Sequence, residues 1–256
     1  MKIHFLWALL LLPFLALLGC SSKTTTEKVS PKLSMHQGHE YVDLGLSVKW
    51  ATMNIGADSP YDFGDYFAWG ETKAKEECIW RNYQHSNGKD ESLNKYCLHE
   101  DEGIVDNKTQ LEPMDDVASE KWGGQWRVPT NAEIEELLNE CYWEWTQEYK
   151  GHGVWGWMVF KAKNDADKGL KRKKDGAPIT QSSYSAQEDA HIFLPLPGHH
   201  VHRALREAGW RGTYWSSTLC DFSSFRAYVL FVDELNTLSG ASLPRCVGLN
   251  VRAVFP

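Results

Sequence analysis

The chain has 256 residues and a net charge of −7, with 27 basic and 34 acidic side chains. This weakly acidic, mixed charge argues against nucleic acid as a partner, because phosphate binding needs a concentrated positive field. Tryptophan is the compositional outlier, with 12 residues. The indoles either replace aliphatic side chains in the core, which the composition favours, or line a ligand surface.

The N-terminus predicts a lipoprotein signal peptide. Met1-Lys2 is a short basic start, Ile3–Leu18 is almost wholly apolar, and Leu17-Leu18-Gly19-Cys20 closes the run. A basic start, an apolar segment and a small residue before the cleavage point are typical of such signals. We expect cleavage before Cys20 and lipidation of its thiol. The alternative is an uncleaved membrane helix, but about 16 residues are fewer than the roughly 20 that span a bilayer.

This signal predicts three parts of the chain and a location. Residues 1–19 are the signal peptide, 20–39 a lipidated flexible tether, and 40–256 a single folded domain. We expect a bacterial outer-membrane lipoprotein, held to the membrane by its N-terminal lipid. The sequence leaves open whether it faces the surface or the periplasm.

Strand patterns begin the domain and helices follow. Apolar residues alternate from Val42 to Trp50, which predicts a half-buried strand with a turn or bulge at Gly45. Residues 52–112 have few regular patterns, apart from a short predicted strand at Tyr66–Trp69. Asp115-Asp116 predicts the cap of a short helix that ends at Trp122.

The best-defined helix begins at Thr130. Thr130 and Glu133 have the spacing of a capping box, in which each side chain satisfies an amide at the helix start. Ile134, Leu137, Leu138 and Cys141 then form an apolar stripe.

The rest of the chain predicts strands, separated by loops. They are Trp143–Trp145, Val154–Ala162, Ile192–Leu196, Thr213–Thr218, Phe225–Asp233 and Val247–Phe255. Strands before and after one or two helices indicate an α+β class with a mainly antiparallel sheet.

Four motifs in order indicate a resemblance. They are Trp126–Thr130 before a helix, Ile192–Pro195 with Gly198, Gly212–Thr218, and Gly248–Val254. In this order they resemble the Fibrobacter succinogenes major paralogous domain family. The opening Tyr41–Thr52 resembles a common start of its exported lipoprotein members.

The resemblance covers roughly residues 40–256. It implies a C-type-lectin-like fold: a mainly antiparallel sheet with two flanking helices and long ligand-presenting loops. It implies no particular activity. Calcium-dependent lectins of this fold carry Glu-Pro-Asn or Gln-Pro-Asp, whereas this chain has Glu112-Pro113-Met114, so we expect no calcium-dependent sugar site.

Five cysteines follow Cys20. Cys141 lies on the helix stripe and is predicted to be a buried thiol. The simplest pairing of the others is Cys78 with Cys97 and Cys220 with Cys246, which export permits. The alternative is five unbonded, mostly buried thiols.

Metal and catalytic motifs are weak. His199, His200 and His202, with His191 upstream, form the only metal-like cluster, but no cysteine or carboxylate accompanies them at a diagnostic spacing. Ser216 and Ser217 lack the glycines of a nucleophile elbow. We therefore expect no cofactor, no metal site and no enzyme.

The leading interpretation is a non-catalytic module that binds a glycan or an envelope protein. The predicted contacts are His199, His200, Arg203, Trp210 and Arg211, within the loops 198–213 and 220–225. Aromatic rings stack on sugars, and arginine binds carboxylate or sulfate. The alternative is a structural or assembly subunit of a surface complex or appendage; an enzyme is less expected.

Overall fold

The computed structural model describes residues 34–88, 92–172 and 183–256. The predicted signal peptide, Cys20 and most of the predicted tether lie outside these residues. Within the described ranges the chain forms thirteen β-strands and two α-helices. All but one of the strand pairs are antiparallel, the exception being β4 with β6. The α+β class with mainly antiparallel sheets is therefore confirmed.

The terminal sheet joins the two ends of the domain. Its strands lie in the order β1-β2-β3-β13, and they span Ser34–His36, His39–Val42, Lys49–Ala51 and Val254–Phe255. The alternating run from Val42 to Trp50 is thus two strands, not one. Gly45, with a φ of +78°, lies in the turn between them, and its amide donates to Asp43 Oδ1 over 2.8 Å. The predicted turn at Gly45 is confirmed.

Both helices begin as the sequence predicts. α1 is Val117–Trp122, and the Asp116 side chain accepts from the amides of Ala118 and Ser119 at its start. α2 is Asn131–Glu140, with the complete capping box of Thr130 and Glu133. Cys141 is buried as predicted, but it begins the next strand because the helix ends one residue earlier.

The central sheet has the order β6-β4-β5-β7. Its strands are β4 at Cys141–Thr146, β5 at Gly156–Lys161, β6 at Lys171–Arg172 and β7 at His191–Pro195. A small hairpin follows, with β8 at His199–Val201 and β9 at Ala204–Arg206.

A third sheet has the order β10-β11-β12. β10 is Arg211–Leu219, β11 is Arg226–Asp233 and β12 is Thr237–Pro244. Neighbouring residues of β10 enter two different cores: Tyr214 packs with β4, β5, β7 and α2, whereas Trp215 packs with α1 and the segment 247–255. Side chains alternate across a strand, so this sheet separates and supports both cores.

Two predicted strands differ from the structure. Most of the predicted strand Val247–Phe255 is irregular, because residues 248–250 each form a single bridge to a different segment. Phe67 likewise forms one bridge, to Leu249, and belongs to no strand. β12 was not predicted, because the two leucines of Thr237–Pro244 do not alternate with polar residues at period two.

Among the described residues, no helix has the length and the apolar character needed to cross a membrane.

Candidate functional site

The residues predicted to bind ligand lie on the segment from Gly198 to Arg211, which we name the basic hairpin. Backbone pairing fixes both ends: the Gly198 amide donates to Arg211 O over 2.6 Å, and His200 exchanges two hydrogen bonds with Gly248. Gly198 has a φ of +70°, and a Cβ there would lie 2.1 Å from Arg206 O. Only glycine allows so close a backbone approach, so the hairpin is positioned by this residue.

Trp210 is the exposed aromatic residue of this hairpin. Its side chain is 70% exposed, and Trp155 meets it edge to face with ring centroids 5.9 Å apart. Trp155 itself is partly buried against the core of the central sheet. The pair therefore presents one indole to solvent and fixes it against a second, anchored indole.

Charged groups surround the base of the hairpin. Arg211 Nη1 donates to Glu207 Oε2 over 2.6 Å, and the Arg211 guanidinium lies 4.7 Å above the Phe231 ring. His199 Nδ1 lies 3.5 Å from the same Glu207 oxygen. Burial lowers the pKa of His199, with the nearby Glu207 opposing that shift. Glu207 thus joins two of the five predicted contacts.

The other two predicted contacts point elsewhere. The His200 ring is 5.0 Å from the Tyr66 ring, on the opposite face of β8 from His199, and burial lowers its pKa. Arg203 lies in the two-residue turn at the hairpin tip, where its Nε is 3.5 Å from Glu77 Oε1. The structure therefore groups His199, Trp210 and Arg211, and separates them from His200 and Arg203.

The second predicted loop, 220–225, cannot belong to the same site. The basic hairpin joins the Arg211 end of β10, and residues 220–225 follow its Leu219 end. Eight residue steps of about 3.3 Å along β10 place these ends roughly 26 Å apart. The exposed Phe222 and its neighbours Ser223 and Ser224, which bind Glu102, form a different surface.

Sequence reasoning missed three residues of the group. Trp155 lies just before β5, and nothing in the sequence links it to Trp210. Phe231 was recognised only as part of a strand. Glu207 had a usable signal, because it lies four residues before Arg211, a spacing at which opposite charges meet within a helical turn.

The predicted histidine cluster does not converge. His199 and His200 lie on opposite faces of β8, and His202 is exposed in the turn with a φ of +54°. His191 is buried in the central sheet beside Tyr149, and burial lowers its pKa to about 4. In the described ranges, no group of three histidine, cysteine or acidic residues is arranged to hold a metal.

The predicted disulfides are not formed. Cys78, Cys97, Cys141, Cys220 and Cys246 are all buried as thiols, so neither the Cys78–Cys97 nor the Cys220–Cys246 pair is bonded. Cys97 donates to His99 O over 3.2 Å and packs in an apolar cluster with Cys246 and Tyr83. The buried thiol predicted at Cys141 is confirmed, and the other four match the alternative of unbonded, buried thiols. Spacing along the chain carries little information about which sulfurs meet.

A second polar cluster, centred on Asp115, lies in the loop-rich region. Asp115 Oδ2 accepts from Tyr96 Oη over 2.5 Å and from Lys95 Nζ, and Glu112 Oε2 lies 2.6 Å from the same ammonium. His85 Nε2 is 2.9 Å from Gly70 O, which makes it the donor, and burial lowers the His85 pKa. The groups of this cluster bind one another, so it reads as internal support for the loops.

The chain matches no protein-family model, no curated protein and no solved structure. The candidate functional site is therefore the surface group of Trp155, Glu207, Trp210 and Arg211.

Proposed function

We propose that the chain is a lipid-anchored module of the bacterial cell envelope that binds carbohydrate through Trp210. The observation that carries this proposal is the distribution of indoles. In the described ranges every tryptophan except Trp210 is buried or half-buried. An exposed indole loses the free energy of burial, about 2 kcal/mol for a large apolar side chain, and this cost is recovered when a ligand covers the ring.

The geometry around Trp210 favours a sugar over a deep-pocket ligand. The Trp210 side chain is mostly exposed, and its turn also carries the hydrogen-bonding side chains of Glu207 and Arg211. Sugar rings present apolar C–H faces to aromatic rings and hydroxyls to polar neighbours, so a flat ring with polar flanks is the expected form of such a site. The resemblance to a C-type-lectin-like domain of the Fibrobacter succinogenes major paralogous family supports the same proposal.

The location rests on the first twenty residues. A basic start, an apolar run and Gly19-Cys20 support export, lipidation and outer-membrane attachment. Cys20→Ala is expected to abolish fatty-acid labelling and to move the chain from the membrane fraction to the soluble fraction. Unchanged labelling of this variant would refute the anchor.

The binding site is tested by Trp210→Ala on a glycan array, with calcium and with chelator. We expect the parent chain to bind in both conditions. The variant should lose at least tenfold in affinity, because stacking on one aromatic ring contributes about 1–3 kcal/mol. Phe222→Ala is the matched control, since Phe222 is 66% exposed at the far end of β10. Equal binding by parent and Trp210→Ala would refute the site.

An assembly subunit is the second candidate, and β12 favours it. Among the described residues, this eight-residue strand pairs only with β11, and it contains no charged residue from Thr237 to Pro244. Uncharged edge strands are open to pairing with another chain. Crosslinks from β12 to one envelope protein, together with silence on the glycan array, would favour this candidate.

We propose no catalytic role. Turnover of any member of a broad panel of glycosides, esters and peptides would overturn that part of the proposal.

A further inference from the structure

The basic hairpin has the opposite charge to the chain that carries it. Residues 199–211 contain Arg203, Arg206 and Arg211 against the single acid Glu207, whereas the whole chain has a net charge of −7. A local positive field on an acidic protein is not needed for solubility, and it attracts anions to this surface.

Among the described residues, two of these arginines have one ion pair each, and Arg206 has none. No carboxylate of the described residues lies within 4 Å of the exposed Arg206. Arg203 is 77% exposed, and its nearest carboxylate oxygen, on Glu77, is 3.5 Å away. Arg211 is 38% exposed and uses only Nη1 for Glu207. Guanidinium N–H groups therefore remain available to a ligand.

Strand register and ion pairs connect two of the arginines through His199 and Glu207. Arg206 is the cross-strand partner of His199, so their side chains lie on the same face of the hairpin. His199 and Arg211 both lie against Glu207. Trp210 belongs to the same turn, because it directly precedes Arg211 and its amide donates to Glu207 O over 3.0 Å.

From this arrangement we propose that the site takes an acidic carbohydrate, one that carries carboxylate or sulfate groups. The sugar ring stacks on Trp210, and the anionic group binds the guanidinium of Arg206, with the free edge of Arg211 beside it. Arginine presents a planar fork of donors that matches both carboxylate and sulfate. This inference rests on the proposed function, since it names the class of glycan at the same site.

The test uses the full chain in non-ionic detergent and three glycan probes: polygalacturonate, which carries carboxylates; heparin, which also carries sulfates; and neutral dextran. We expect the parent chain to bind at least one acidic probe and not dextran. Arg206→Gln is expected to weaken that binding by about tenfold, as one charge-assisted hydrogen bond is lost. Lys121→Gln, which removes an exposed positive charge on α1, is the matched control and should leave binding unchanged.

The outcomes separate the two proposals. Dextran binding that needs Trp210 and ignores Arg206 would overturn the acidic class and keep a carbohydrate site. Binding to polygalacturonate alone would assign carboxylate, and heparin alone would assign sulfate; either supports the inference. Silence with all probes would overturn both proposals.

The alternative anion is an acidic surface of a second copy of the chain. Glu100 and Asp101 are exposed acidic residues that a second copy would present. Concentration-dependent self-association that Arg206→Gln abolishes, without glycan binding, would replace the carbohydrate by a second copy of this chain.

Discussion

Two regions of the molecule contain arginine among aromatic rings, yet one guanidinium is buried and hydrogen-bonded and the other is exposed. In the loop-rich region, Arg245 is completely buried, and its cation lies 4.8 Å above the Trp69 ring. Its donors all bind atoms of the chain at 2.9–3.0 Å: Tyr83 Oη and the carbonyls of Lys95, Tyr96 and Ser224. In the basic hairpin, Arg206 is exposed with no such partner.

The difference distinguishes structural from available chemistry. A buried guanidinium is tolerated only when its donors are satisfied, and Arg245 donates to acceptors in three segments, at Tyr83, at Lys95-Tyr96 and at Ser224. Its hydrogen bonds connect these loops, as backbone hydrogen bonds connect the strands of a sheet. Exposed donors contribute little to the stability of the fold, and the proposed function assigns them to a ligand. Each prediction below tests that contrast through stability.

The largest effect is expected for Arg245→Met. Three buried carbonyls and one hydroxyl lose their donor, and each unsatisfied group costs about 1–3 kcal/mol, so we expect the free energy of unfolding to fall by about 4 kcal/mol. Urea denaturation measures it. Arg206→Met is the control and should change stability by less than about 0.5 kcal/mol, because it alters an exposed side chain.

If both variants lost equal stability, the contrast between the two regions would be wrong.

A buried histidine makes the stability of the fold depend on pH. Burial lowers the pKa of His191 to about 4, with a smaller contribution from the nearby Lys150, whereas the pKa in the unfolded chain is about 6.5. The unfolded chain therefore binds a proton more readily, and stability present above pH 6.5 is lost as the pH falls towards 4. The loss at His191 is about 3 kcal/mol. Denaturation at pH 7 and pH 4.5 should show a smaller difference in His191→Gln than in the parent.

His202→Gln supplies the comparison, since His202 is exposed at the hairpin tip. It should keep the pH dependence of the parent. A pH dependence that survives in His191→Gln would assign it to other groups.

The smallest of the three effects is expected at Gly198. Gly198→Ala places a side chain at positive φ and against Arg206 O, and it should cost about 2 kcal/mol while displacing the hairpin. Gly209→Ala also has a positive φ, +82°, but nothing lies within 4 Å of its Cβ. It should cost about half as much and leave the hairpin in place. Thermal melts and the glycan assay read out both effects.

Equal losses in the two glycine variants would show that backbone strain, and not the contact with Arg206, accounts for the effect at Gly198.

Local patterns predicted the helices well, because their determinants are close in sequence. Thr130 and Glu133 cap α2 as expected, and Glu133 also binds Arg127 through two oxygens. Arg252 is also buried, and it donates to Asn54 Oδ1 and Ala51 O and not to a carboxylate. Such contacts follow from the general rule that buried arginine finds acceptors.

The site was predicted in part, and the failures have one cause. Trp210 and Arg211 were named because an aromatic residue beside arginine is visible in sequence. Trp155 and the separation of loop 220–225 depend on contacts between distant segments, which β5, β7 and β10 bring about only after folding. β12 was not predicted for another reason. It is a strand because it pairs with β11, and its own residues give no alternating pattern.

Trp210, the one exposed indole among the described residues, has a consequence for the fluorescence of the protein. The other tryptophans of the described residues are shielded to a greater degree, so a collisional quencher such as iodide reaches Trp210 first. Fluorescence from this ring reports on the basic hairpin against a largely unquenched background. The protein thereby carries its own spectroscopic label at the surface where a ligand would first be detected.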